Sequence, residues 1–108
     1  MTTPFAVMTA LQEPITVAPD TIVSRTLYNG DDVRVVLFVF APGQELSEHT
    51  AARPALIHIL EGLGTIGLGG ETLGAAPGLL VHMTPGLPHT IVATTELRML
   101  LYLLATSV

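Results

Sequence analysis

Four histidines, His49, His58, His82 and His89, are the side chains best suited to chemistry in this chain. All lie between residues 49 and 89, and none lies in the first 48 or the last 19. Neutral imidazole is the commonest nitrogen ligand of divalent transition metals, so the cluster is a candidate site for Zn, Fe, Mn, Ni or Cu. A histidine inside an apolar strand serves as readily as a packed, hydrogen-bonded core residue, and that role stands beside the ligand role for His58 and His82. Glu45 and Glu48 precede His49 and offer a carboxylate ligand or general base, although a solvated loop position is the simpler role for both. Arg53 suits an anion clamp or a surface ion pair. Glu61, before Gly62, reads as a turn residue. The absence of cysteine excludes disulfides, thiolate metal sites and cysteine nucleophiles. No G-x-S-x-G, phosphate loop or H-E-x-x-H occurs, so serine hydrolysis, nucleotide binding and zincin chemistry have no support.

The rest of the composition narrows the setting. The chain has 108 residues, nine acids, four arginines (Arg25, Arg34, Arg53, Arg98) and no lysine, for a net charge of −5. Half of it (49%) is hydrophobic, and the mean hydropathy is +0.60. Such a chain is too apolar to be disordered. It has no basic face to neutralise phosphates, which argues against nucleic-acid partners. Its longest apolar runs, 35–41 and 99–105, are strand length, well short of the roughly 18 residues of a membrane helix. Residues 1–11 have no basic residue before their apolar stretch and do not read as a signal peptide, so a cytoplasmic location is expected.

The elements that must position the histidines read as strands. Ten glycines and eight prolines punctuate the chain, and no long segment carries a helical period. The intervening segments are rich in Val, Ile, Leu, Thr and Phe, and predict strands near 22–28, 33–41, 46–49, 55–61, 65–68, 71–73, 79–83, 89–93 and 97–104. Asn29-Gly30 and Gly69-Gly70 supply positive φ for tight hairpins, and Pro42-Gly43 and Pro85-Gly86 are β-turn pairs. The pattern is an all-β sandwich or small barrel over residues 15–108, preceded by an N-terminal arm or edge strand over residues 1–14. Phe38, Met83, Met99 and Tyr102 belong first to its core or an interface. Val35 to Phe40 and Met99 to Leu104 are apolar at both parities, which predicts burial on both faces, one in the barrel and one against a second subunit.

Two segments together resemble the cupin family. Gly43, His49 and Gly62, with Leu60-Glu61 before it, fit the first motif G-x5-H-x-H-x3–4-E-x6-G. Gly78, Gly86 and His89 fit the second, G-x5-P-x-G-x2-H, with Thr84 in the place of proline. The resemblance implies a cupin-type double-stranded β-helix, or jelly-roll barrel, that commonly dimerises through one sheet. It also implies a metal at the barrel mouth, held by two His and a carboxylate of the first motif and one His of the second. His49 and His89 keep two of these positions. Ala51 and Ala55 occupy the others and coordinate nothing.

The resemblance further sets the strand of His49 beside that of His89, and the strand of His58 beside that of His82 in the facing sheet. All four could face inward as a four-histidine site. Regular alternation from position 55 instead sends His58 outward, and only a bulge near Pro54 reverses this. The expected function is a metal-binding cupin, a metal-dependent oxygenase, isomerase or lyase acting on a small molecule in the barrel. His49, His89, His58 and His82 are its candidate ligands. The alternatives are a non-catalytic module that binds or senses a small ligand, and a barrel that mainly oligomerises. The expected partners are a small molecule and a second copy of the chain, with no nucleic acid and no membrane.

Overall fold

A computed structural model describes residues 4–9, 11 and 13–105. The described residues form nine strands: β1 (Ile22–Asn29), β2 (Val33–Phe40), β3 (Glu45–His49), β4 (Ala55–Glu61), β5 (Gly64–Leu68), β6 (Glu71–Ala75), β7 (Leu80–Met83), β8 (His89–Ala93) and β9 (Leu97–Leu104). Each predicted strand is present, and most of the apolar runs are bounded by a glycine or proline turn that ends their pairing, the exception being Thr94-Thr95-Glu96 between β8 and β9. None of these strands falls in the arm expected over residues 1–14, of which residues 1–3, 10 and 12 lie outside the described residues. No helix among the described residues is long and apolar enough to cross a membrane.

Pairing is antiparallel and nested. β2 pairs with β9, β3 with β8, β4 with β7 and β5 with β6, each pair inside the one before. Successive pairs alternate between a five-stranded sheet, β1-β2-β9-β4-β7, and a four-stranded sheet, β3-β8-β5-β6. This is an antiparallel ribbon rolled into a jelly roll. The inner faces meet in one core, to which the larger sheet gives Phe40, Ile57, Ile59 and Met99 and the smaller gives Ile66, Ile91 and Ala93.

The outer face of β2 and β9 is apolar as well, as their doubly apolar sequences require. Val35, Leu37, Val39 and Leu100 form a second cluster, against which Leu11, Ile15 and Val17 pack. Part of the cover expected from a second subunit is therefore supplied by the chain's own N-terminal segment. Arg98 fastens it there, donating from Nη1 to the carbonyl of Leu11 (2.8 Å) and from Nη2 to that of Glu13 (2.7 Å). The segment does not quench the whole face: Leu80 on β7 remains 58% exposed.

Two turns show how backbone geometry selects glycine. The β1–β2 connection departs from the expected positive-φ pair: neither Asn29 nor Gly30 takes positive φ. Residues 30–32 form a longer loop closed by Gly30 N–H to the Val33 carbonyl at 3.0 Å. A Cβ on Gly30 would lie 2.6 Å from the Tyr28 ring, which would have to shift to admit a side chain there. Gly62 has φ 91°, and a Cβ on it would collide with the carbonyl oxygen of Glu96. Gly62→Ala should therefore lower unfolding free energy by about 2 kcal/mol or more in denaturant titrations. Gly74→Ala, where a Cβ would meet nothing within 4 Å, should change it by no more than about 0.5 kcal/mol. Equal effects would contradict the steric reading of Gly62.

Candidate functional site

The nested topology brings His49, the last residue of β3, opposite His89, the first of β8. Facing follows from register. Ile91 points into the core, so His89, two residues earlier, points the same way. Leu46 also packs on the core, and strict alternation would turn His49, three residues on, to the outer face. A register shift between Leu46 and His49 sets three steps of β3 against two of β8 and restores the inward direction. The two ring centroids lie 4.1 Å apart, with the ring planes at 58°. His89 is 4% exposed, whereas His49 sits at the exposed rim.

Each ring is held in the same way. His49 Nδ1 lies 2.9 Å from the Ser47 carbonyl oxygen and His89 Nδ1 lies 2.9 Å from that of Leu87. A carbonyl oxygen has no proton to give, so each Nδ1 is the donor. In the neutral ring this leaves the lone pair on Nε2. No described residue hydrogen-bonds either Nε2. Orienting a ring through its Nδ1–H is the usual outer-shell arrangement for an Nε2 metal ligand. The carbonyl two residues before each histidine was not singled out in the sequence, although its spacing is equal in both motifs.

The loops that carry the pair are tied to each other. Gly86 N–H donates to the Ala51 carbonyl at 2.8 Å, linking the β7–β8 loop to the β3–β4 loop. Arg53 forms no ion pair with a described residue. It donates from Nε to the Leu104 carbonyl (2.7 Å) and from Nη2 to that of Leu103 (3.2 Å). Leu104 N–H returns a bond to the Pro54 carbonyl at 2.9 Å, so the loop after His49 is stitched to the end of β9. Glu45, Glu48 and Glu61 are exposed. Among the described residues, no group of three or more His, Cys, Asp or Glu side chains is placed to hold a metal ion. Ala55 is buried at the inner start of β4 and supplies no donor.

His58 and His82 do not join this pair, so the inward four-histidine arrangement is not formed. Ala55, Ile57 and Ile59 are buried on the inner side of β4, which leaves Leu56, His58 and Leu60 on the outer one. The β4–β7 register runs unbroken from Ala55 to His58, so no bulge after Pro54 reverses the alternation. His58 Nδ1 lies 3.3 Å from Tyr102 Oη, and the two rings lie within 26° of parallel. Burial pushes the Tyr102 phenol above its usual pKa. His82 is exposed on β7, opposite Leu56. The clamp role of Arg98 was missed. An arginine in an otherwise apolar strand signals a guanidinium that must find acceptors, but not where they lie.

Comparison with known proteins agrees with this architecture. Residues 36–104 match the family described as cupin domain. No curated protein matches the chain. A cupin superfamily protein from Desulfitobacterium hafniense has a similar structure, with TM-score 0.81 and 24% identity over 94% of this chain and 100% of the other. An RmlC-like cupin from Desulfovibrio desulfuricans gives TM-score 0.83 and 23% identity over 93% and 97%. Salicylate 1,2-dioxygenase from Pseudoaminobacter salicylatoxidans gives 0.73 and 19%, over 84% of this chain but only 26% of the enzyme. Family match, nested β-roll and both glycine-histidine motifs coincide on the same strands, and the chain belongs to the cupin family.

Proposed function

We propose that the His49–His89 end of the barrel binds one divalent transition metal, of the group Zn, Fe, Mn, Ni and Cu, and that the protein is a metal-dependent enzyme acting on a small molecule. The observation that carries this reading is the common orientation of the two rings. Both Nδ1–H groups are held by backbone carbonyls, and both Nε2 lone pairs are left for a ligand. His49 and His89 would hold the ion, while His58 and His82 face the other side of the larger sheet. When bound, the metal supplies Lewis-acid polarisation of an oxygen-bearing substrate. Around it Ala55, Leu68 and Leu103 offer hydrocarbon, which excludes water and favours a partly apolar substrate. An oxygenase, isomerase or lyase reaction fits such a site. The fold shared with salicylate 1,2-dioxygenase supports the first of these as a reading.

A second reading is favoured by Ala51 and Ala55: with no described carboxylate grouped with the two imidazoles to hold a metal and no lysine in the chain, the chain would bind or sense a small ligand without turnover. Metal content separates the two. Protein purified without a histidine tag should carry about one metal per chain by elemental analysis. His49→Ala and His89→Ala should lose it, and His58→Ala should retain it. Metal-free protein in every preparation would contradict the enzyme reading and leave the binding module.

We also infer that a second copy covers the part of the outer face left open beside β4 and β7. Leu80 is exposed there next to half-buried Leu56, and a chain with 12% charged residues has few groups to solvate such a face. Sedimentation should give the mass of two chains for the wild type and of one for Leu80→Glu. A monomeric wild type would overturn this inference.

A further inference from the structure

The open patch beside β4 and β7 holds the two histidines that the barrel mouth does not use. Ala55, Ile57 and Ile59 face the core from β4, and Val81 and Met83 face it from β7. Leu56, His58, Leu80 and His82 therefore stand together on the outer face. The register sets them as a checkerboard: His58 is opposite Leu80, and Leu56 is opposite His82. His58 is half-buried and stacked on Tyr102, whereas Leu80 and His82 are exposed.

Few charged groups lie near this patch. From β9, Tyr102 places its Oη 3.3 Å from His58 Nδ1, and Arg98 lies further along the same strand. From β7 the only titratable neighbour of His58 is His82, one diagonal away. The only carboxylate on β4, β7 or β9 is Glu61, at the end of β4 and opposite Arg98. Among the described residues neither histidine is ion-paired with a carboxylate. A two-fold interface brings the same patch from both copies, so the partner offers the same leucines and imidazoles and no compensating acid. Neutral imidazoles can be covered there at modest cost. An imidazolium would lose its hydration without gaining an anion, and would meet the like charge of the partner. The contact of His58 with Tyr102 lies within one chain, so it is present in monomer and dimer alike and does not offset this cost.

Resting on the second-copy reading above, we propose that this interface is acid-sensitive, with protonation of His58 and His82 driving the two copies apart. The sign follows from proton counting. The separated chains bind more protons than the dimer, so association weakens as pH falls through the range, around 6.5, in which imidazole gains its charge.

Sedimentation equilibrium of the full chain, with a chelator present to keep metals out, tests this at about pH 7.5 and about pH 5.5. The dimer dissociation constant should rise about a hundredfold or more at the lower pH, because one excluded proton in each copy gives roughly tenfold one unit below pH 6.5. The dimer should re-form when the pH is returned. His58→Gln combined with His82→Gln should dimerise with a constant that changes by less than about threefold between the two conditions. In the wild type the slope of log Kd against pH counts the protons taken up on dissociation; near pH 5.5 it should be about two or more, and this readout needs no variant. A dimer equally strong at both pH values, or one that fails to re-form, would overturn the switch and leave the second-copy reading intact. A pH response that survives in the double variant would overturn the assignment to these two histidines. A wild type that is monomeric at both pH values would overturn the second-copy reading and this inference together.

Discussion

Everything at the histidine end depends on the register of β3 against β8. The two strands meet because the chain closes as a nested ribbon, and the shift between Leu46 and His49 decides which way the first histidine faces. Without that extra residue His49 would lie on the outside of the smaller sheet, and the two motifs would be adjacent in the fold yet unable to act on one ligand. The hydrogen bond from Gly86 to Ala51 and the three bonds joining Arg53 and Pro54 to the end of β9 then limit how far the two loops can separate. The backbone thus does most of the positioning, and it does so again at the side chains, where two carbonyls set the direction of both lone pairs.

The same closure explains the chain's small number of charges. Two of its four arginines, Arg53 and Arg98, act as long-range clamps on backbone carbonyls. Arg98 holds the N-terminal segment over the outer face of the larger sheet, and Arg53 holds the loop after His49. A guanidinium has five N–H donors in a rigid fork, and satisfying them with main-chain oxygens lets it lie half buried without a carboxylate partner. The single ion pair among the described residues, Arg25 with Glu13 at 3.5 Å, is exposed and worth little to stability.

Much of this architecture was legible before the fold was known. The strands could be placed because glycine and proline turns interrupt runs of β-branched and aliphatic residues, and the resemblance of two motifs set their order. Alternation from Ala55 already favoured an outward His58, since a two-residue period is a local property of a strand. Other features were out of reach of local reasoning. The shift in β3 exists only relative to β8, some 40 residues away, and nothing in Leu46-Ser47-Glu48-His49 announces it. The acceptors of Arg53 lie 50 and 51 residues distant, and those of Arg98 lie 87 and 85. At Asn29-Gly30 the dipeptide suggested a two-residue turn, but Tyr28 lies over Gly30 and the loop is longer.

The central claim is that His49 and His89 are oriented by their Nδ1–H groups and present two Nε2 lone pairs. Long-range 1H–15N correlation of the imidazole side chains at neutral pH reads this directly in the metal-free protein. The account predicts that both rings carry the proton on Nδ1 and show an unprotonated Nε2. His49→Ala and His89→Ala would assign the two signals. A proton on Nε2 in both rings would contradict the account, because the lone pairs would then face the backbone and the barrel mouth would hold no site.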